Sequence, residues 1–358
     1  MSTVTREQFD VTRAEAFTGR LMGALNEGAL MLMVSVGHRT RLFDVLAARG
    51  ASTSAELAQA AGLQERYVRE WLGAMAVGGV VDYDVAAHRY ALPAEHASVL
   101  TRGVAVNLAA SAQFLPVLAS VEDRIVDCFV AGGGVNYAEY PRFHEIMAEE
   151  SDQTVVAALE AHILPLVPGL QESLREGIDV LDVGCGHGRA LARLATLYPA
   201  SRFVGFDLSA EAVAEGNARA AAAGLRNLRL EVRDVAEIGG SARFDLVTAF
   251  DAIHDQARPD RVLDGIHASL KAGGVFLMQD IAASRHVEKN FAHPLGPWLY
   301  TISCLHCMTV SLAQGGAGLG TVWGEELALE MLGEAGFDHV TSHRLPHDII
   351  NVYFVAKR

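Results

Sequence analysis

The stretch Ile178-Asp-Val-Leu-Asp-Val-Gly-Cys-Gly-His-Gly188 constrains this chain more than any other. Val180, Leu181 and Val183 read as a short apolar strand, and Gly184, Gly186 and Gly188 break it into a turn. The run from Arg189 through Leu191, Leu194 and Leu197 has helical spacing. Strand, glycine turn and helix open a nucleotide-binding βαβ unit. Glycine is needed there because the backbone must turn tightly and approach a ligand closely. A second apolar strand, Arg202-Phe-Val-Gly-Phe-Asp207, follows about twenty residues on and ends in an acid placed for ribose hydroxyls.

The glycine spacing bears on the ligand. A dinucleotide site spaces its glycines G-x-G-x-x-G so that a pyrophosphate sits on the helix N-terminus. This turn reads G-x-G-x-G, with Asp182 inside the strand before it. An acid there repels a pyrophosphate but suits an ammonium group. On these residues the chain resembles the class I S-adenosylmethionine-dependent methyltransferases. The resemblance implies a cofactor site made of Asp182, Gly184, Cys185 and Gly186, with Asp207 and Leu208 at the ribose. It also implies that Asp234 accepts the adenine amino group, that Val235 meets the ring, and that Phe250, with Asp251 beside it, lines the methionyl half.

The length of 358 residues suggests two domains or three, and 51% hydrophobic content supplies a large core. No apolar run reaches the length of a membrane span. Met1 to Asp10 is polar and reads as a loose terminus rather than a signal peptide. Cys128, Cys185, Cys304 and Cys307 are too few for a disulfide scaffold, so a cytoplasmic location is expected. The net charge of -14 argues against broad phosphate-backbone binding.

Ala14 to Val36 carries a stripe of Leu21, Met22, Leu25, Leu30, Leu32, Met33 and Val36 that is too broad for a monomer's surface helix. A homodimer contact is expected there, with Gly37 as the helix stop. Arg41 to Leu100 reads as a winged helix. Leu42 to Leu46 is its first helix, Thr53-Ser-Ala-Glu56 opens the second with a capping box, and Gln64 to Met75 is the third. Two wing strands follow at 80–83 and 88–92. The third helix balances Glu65 and Glu70 against Arg66 and Arg69, a poor composition for reading DNA, so no nucleic-acid partner is expected. Small-molecule methyltransferases often carry a similar winged-helix domain that dimerises and covers the substrate.

Val104 to Phe129 is expected to be helical, and Gly132 to Gly134 a linker. Phe143, Met147 and Ser151 then fall four apart on one helix face. This pattern resembles the helix preceding the catalytic domain in caffeic-acid-type O-methyltransferases, which implies that Phe143 borders substrate and that Met147 and Ser151 border cofactor. Tyr137 and Tyr140 stand nearby without an assigned role. The segment Ile253-His254-Asp255 resembles the apolar-His-Asp signature of the same enzymes, with Gln256 where they usually carry Trp. The resemblance implies that His254 is the general base. A neutral imidazole suits a hydroxyl that must lose its proton near the transition state. Glu288, Glu325 and Glu326 are the expected partners that orient it. The insert 281–323 is long for this fold, and inserts of that kind are usually functional. A helix lined by Trp298, Leu299, Ile302, Leu305 and Met308 would give it an apolar wall for substrate, with His306 alongside. No second Cys or His pair accompanies Cys304-x-x-Cys307, so no metal is expected. The glycine-rich run from Gly315 to Gly320 lacks the Lys-Ser or Lys-Thr of a phosphate loop and reads as a turn or lid.

The expected architecture is α/β: a Rossmann-like, doubly wound, seven-stranded methyltransferase sheet preceded by an all-α, winged-helix domain. Residues 1–130 form the dimerisation domain, 131–177 a linker and site-bordering helix, and 178–358 the S-adenosylmethionine domain. The expected reaction is methyl transfer to a hydroxyl of a small or medium apolar molecule. N- or C-methylation in the same fold is the enzymatic rival. A ligand-sensing winged-helix regulator is the rival from another class, and a nicotinamide oxidoreductase is disfavoured by the glycine spacing and Asp182.

Overall fold

The computed structural model describes residues 9–104, 106–239 and 241–358. The first eight residues of the polar terminus lie outside them. The chain divides into two units, Met1–Pro116 and Val117–Arg358.

The first unit opens with α1 (Val11–Arg39), whose N-cap Asp10 accepts from the Arg13 amide at 3.0 Å. The helix does not stop at Gly37, as its sequence suggests. A Cβ there would lie 2.7 Å from both the Phe43 and Trp71 rings, so glycine serves close packing inside a continuing helix. Helices α2 (Leu42–Arg49), α3 (Ser54–Ala61) and α4 (Glu65–Val77) follow. Both capping-box bonds of α3 are made, Glu56 N–H to Thr53 Oγ1 at 3.2 Å and Thr53 N–H to Glu56 Oε2 at 2.9 Å. The fully buried Phe43, Leu46, Leu72 and Met75 form the core with Trp71, whose indole N–H donates to the Met33 carbonyl at 2.9 Å. Strands β1 (Asp82–Asp84) and β2 (Arg89–Ala91) pair antiparallel as the wing, and α5 (Ala94–Leu100) follows. The face of α1 carrying Phe17, Leu21, Met22 and Leu25 is exposed, with Leu25 at 74%.

The stretch expected as one helix from Val104 to Phe129 is three: α6 (Leu108–Ser111), α7 (Phe114–Ala119) and α8 (Glu122–Ala131). Asn107 caps the first by accepting from the Ala109 amide, a local bond that starts a short helix instead of extending a long one. In the second unit α9 (Phe143–Ser151) and α10 (Leu170–Glu176) lead into a seven-stranded sheet. Its strands are β3 (Asp179–Val183), β4 (Arg202–Asp207), β5 (Leu228–Val232), β6 (Phe244–Phe250), β7 (Leu270–Ile281), β8 (His339–Leu345) and β9 (Asp348–Lys357). The order is β5-β4-β3-β6-β7-β9-β8, with β9 antiparallel to both neighbours and the other pairs parallel. Helices α11 (Arg189–Leu197), α12 (Ala210–Ala222), α13 (Pro259–Ser269) and α16 (Gly324–Glu334) supply its crossovers, and α14 (Gly296–Ile302) and α15 (Met308–Ala313) belong to the insert.

Both faces of the sheet are covered. Leu181, Val183, Val247 and Phe276 point into one apolar cluster, and Val180, Leu246, Leu277 and Tyr353 into the other. The alternation along β3 is the two-residue period of a strand between two helical layers. Truncating a fully buried leucine such as Leu181 costs about 2–5 kcal/mol in a core of this kind. The strand order reverses between β3 and β6, and a ligand crevice opens beyond the carboxyl ends of strands at such a point.

Candidate active site

The residues around the reversal are set by register. Asp182 on β3 lies opposite Thr248 on β6, and the Thr248 hydroxyl donates to Asp182 Oδ1 at 2.6 Å. Burial pushes the Asp182 carboxyl up to about 7, eased by that hydrogen bond and reinforced by Asp207. Beyond Val183 the chain turns at Gly184, where φ is +71° and a Cβ would lie 2.5 Å from that of Ala252. Gly186 also has positive φ, but a Cβ there would meet nothing within 4 Å. That open side of the turn is the cradle a ligand would fill. The Gly186 amide donates to Asp207 Oδ2 at 2.7 Å and the Ser209 amide to Oδ1 at 2.8 Å, which fixes Asp207 at the end of β4. Cys185 is half-buried beside them, and burial, Asp182 and Asp207 hold its thiol well above its usual range. Leu208 is 54% exposed at the rim. Asp234 accepts from the Ala236 amide at 2.9 Å and so caps a short turn after β5, while Val235 is buried beneath. Phe250 is half-buried at the end of β6.

The helix expected beside this turn is docked onto it. Arg189, the first residue of α11, donates to the Ala148 carbonyl at 3.1 Å and pairs with Asp152. The end of α9 is thereby held against the start of α11, with Met147 and Ser151 half-buried on it. Phe143, at its other end, stacks face to face on His306 with centroids 3.6 Å apart and an interplanar angle of 8°. The sequence leaves Tyr137 and Tyr140 unassigned, yet both meet the His306 ring edge-on, at 4.9 and 4.8 Å. Burial, then the charges of Asp255 and Asp207, push the Tyr137 hydroxyl well up. The insert's α14 and α15 are joined by a π-helical turn, Ser303–Cys307, that buries His306 and Cys307. Such turns are frequent at functional sites. Ile302 is half-buried just before it. Trp298 falls in a different apolar cluster, packed with Leu295 around Leu299, Ile281 and Ala283. The glycine-rich run closes back on the base segment through Gly320 N–H to the His254 carbonyl at 3.2 Å and Ala317 N–H to the Ala257 carbonyl at 3.0 Å.

His254 itself is 3% exposed. Its Nδ1 meets Asp280 Oδ1 at 2.9 Å and Asp251 Oδ1 at 3.7 Å. The partner expected among Glu288, Glu325 and Glu326 is therefore Asp280, at the carboxyl end of β7. Glu326 accepts from Ser284 and Lys289, and Glu325 from Arg344. Asp280 Oδ1 is fixed further by the Trp323 indole N–H at 2.9 Å and the Ile281 amide at 2.8 Å. Burial opposes a charge on His254, but Asp280, with Cys307 beside the ring, outweighs it and holds the imidazole well above its ordinary range. Burial and the neighbouring acids push Asp255 up to about 7, against the pull of His254. Burial likewise raises Asp251, which adopts a left-handed backbone with φ +55°. Such strain concentrates at functional sites.

Two kinds of group fit these residues. Asp251, His254 and Asp280 bring one ligand atom each to within 4.8 Å of one another, which a hard divalent cation could use. The hydrogen bond from His254 to Asp280 already fills that geometry. The wider crevice fits an organic cation. Asp182, Asp251 and Asp255 are all pushed up chiefly by burial, with neighbouring carboxylates adding to the rise and His254 pulling only the last two down. A ligand carrying sulfonium and ammonium groups supplies a counter-charge, whereas a pyrophosphate worsens the repulsion.

Comparisons with known proteins agree. Residues 28–102 match the Rv2258c-like winged HTH domain, and residues 174–349 match a methyltransferase domain. A curated relative, trans-aconitate 2-methyltransferase of Deinococcus radiodurans, is 36% identical over 109 residues, 30% of this chain and 40% of that protein. The chain spans less than half the length of the first curated relatives it matches. Human N-acetylserotonin methyltransferase in complex with S-adenosylmethionine superposes with a TM-score of 0.70 at 15% identity, over 100% of this chain and 99% of that one. The mitomycin 7-O-methyltransferase does so with a TM-score of 0.69 at 16% identity, over 97% and 100%. These likenesses extend the shared fold across both units. The chain belongs to the S-adenosylmethionine-dependent methyltransferases that carry an N-terminal winged helix-turn-helix domain.

Proposed function

We propose that the protein methylates a hydroxyl of a small or medium apolar molecule, with His254 as general base. The observation that carries this reading is the buried contact of His254 with Asp280, beside the cofactor crevice and next to an aromatic wall. S-Adenosylmethionine supplies an electrophilic methyl group when bound. Asp207 is placed for ribose hydroxyls, Asp234 and Val235 for adenine, and Asp182, Gly184, Cys185 and Gly186 for the methionyl half with Phe250. Met147 and Ser151 border the cofactor from α9. Phe143 and His306 line the acceptor side, with Ile302 just before the turn that carries His306 and Trp298 in the separate cluster around Leu299.

His254 takes the proton. Asp280 fixes its Nδ1 as donor, which leaves Nε2 as the basic atom. Asp280 also stabilises the imidazolium formed as the hydroxyl loses its proton. A cation entering among Asp182, Asp251 and Asp255 draws charge compensation away from His254 and favours its neutral, basic form. Burial of His254 and His306 excludes water, so much of the rate comes from holding acceptor and methyl in line.

The exposed apolar face of α1 supports a homodimer, and no helix among the described residues is long and apolar enough to cross a membrane. The self-paired charges of α4 support a structural rather than a DNA-reading winged helix.

The test is single-turnover methyl transfer across pH, once an acceptor is in hand. His254→Ala should lose about 10²–10⁴ in rate with cofactor affinity nearly unchanged. Asp280→Asn should slow the reaction and move its acidic limb to lower pH, because the carboxylate that raises His254 is gone. Near wild-type rates in His254→Ala would remove the base and favour an acceptor that needs no deprotonation.

A further inference from the structure

His306 is 2% exposed, and neither of its ring nitrogens has a hydrogen-bond partner among the described residues. Buried polar atoms in native proteins nearly always find partners, and those left alone call for a reason such as a catalytic role, an ordered water or a ligand. The ring is surrounded by Phe143, Tyr137 and Tyr140. A phenylalanine would stack on Phe143 equally well and leave no nitrogen unsatisfied, so stacking alone does not explain an imidazole. Burial, with the charges of His254 and His144, keeps His306 well below its ordinary range. It is therefore neutral near pH 7 and offers one N–H donor and one lone pair. The Gly320 amide donates to the His254 carbonyl at 3.2 Å and the next amide, of Thr321, to Ser303 Oγ at 3.1 Å on the turn that carries His306, which ties the two histidine segments together. The walls around it are ring faces and edges, which favour a flat conjugated molecule.

We infer that His306 is a specificity-determining residue, which hydrogen-bonds a second polar atom of a flat aromatic acceptor next to the hydroxyl that is methylated. The inference rests on the methyl-transfer reading above. Access requires the Tyr137 and Phe143 rings to swing aside. Both lie on the segment that begins at Gly132 and Gly133, whose positive φ values of +73° and +83° mark a backbone break.

The test compares a naphthalene diol with adjacent hydroxyls against the matching naphthol. Binding is measured by calorimetry with S-adenosylhomocysteine present, and turnover separately with S-adenosylmethionine. Wild type should bind the diol about 5- to 150-fold more tightly, the span expected when a buried polar group gains or lacks its partner. His306→Phe keeps the stack and loses the nitrogens, so it should erase the preference while still binding the naphthol. A preference that survives His306→Phe, no preference in wild type, or no binding of either compound would overturn the inference. A preference in binding without turnover of either compound would uphold His306 and sink hydroxyl methylation instead. Should His306→Phe fail to fold, nitrogen NMR of wild-type His306 decides the matter. The diol should shift a ring nitrogen and the naphthol should not, and equal response to both overturns the role.

Discussion

On α4 every charge has a neighbour of opposite sign one turn away, whereas in the second unit Asp251 and Asp280 share the imidazole of His254 and Asp207 repels both Asp182 and Asp255. Arg66 pairs with Glu70, and Arg69 with Glu65 at 2.8 Å, on the exposed face of the helix. Ser54 adds a hydroxyl bond to Glu65 at 2.5 Å. In the crevice Asp182 and Asp280 are buried, and Asp251 Oδ1, Asp280 Oδ2 and both nitrogens of His306 lack hydrogen-bond partners among the described residues. Buried polar groups without hydrogen-bond partners make the crevice, rather than α4, the candidate for ligand binding.

The comparison breaks first if the crevice acids do not bind the cofactor. Asp207→Ala should weaken S-adenosylmethionine binding by about 1.5–3 kcal/mol, the value of a charge-assisted contact. Calorimetry showing unchanged affinity would remove Asp207 from the site.

Proton linkage sharpens the comparison with a smaller effect. The Asp182 and Asp255 carboxyls stand near 7 in the fold, against an unfolded value near 4. A raised carboxyl binds its proton more tightly when folded, so its stabilising contribution is present below about pH 4 and is lost as pH rises through about 7. Thermal melts should therefore show the cofactor-free protein losing this contribution between those limits. A bound cation lowers the same carboxyls, so cofactor binding near pH 7 should release protons. Calorimetry in buffers of different ionisation enthalpy checks this, and proton uptake would contradict it.

The smallest effect belongs to α4. Glu65→Ala should leave methyl transfer unchanged and barely move the melting temperature, because exposed helical ion pairs contribute little. A large loss of either would mean that the helix does more than fill the winged fold.

Much of the catalytic unit is legible in the sequence because its signals are local. The glycine turn, the acid ending β4 and the alternation of strands with helices lie within short windows. So does the Thr53 to Glu56 capping box. Three features were not legible in this way. Gly37 reads as a helix stop, but the helix continues because Phe43 and Trp71 press on it from elsewhere in the chain. The partner of His254 reads as a glutamate of the insert or α16. It is Asp280, because β7 pairs with β6 and Trp323 anchors the carboxylate. Tyr137 and Tyr140 have no motif at all, and only the docking of their segment on the π-helical turn brings them to His306.

The sequence by itself determined the fold class and the kind of cofactor, since each depends on periodicity or on residues within one strand-turn-helix unit. Only the tertiary structure decided which carboxylate meets His254, which rings surround His306 and which buried nitrogens lack a hydrogen-bond partner. Those depend on strand register and on contacts between residues more than a hundred positions apart, such as Phe143 with His306, and no local pattern encodes them.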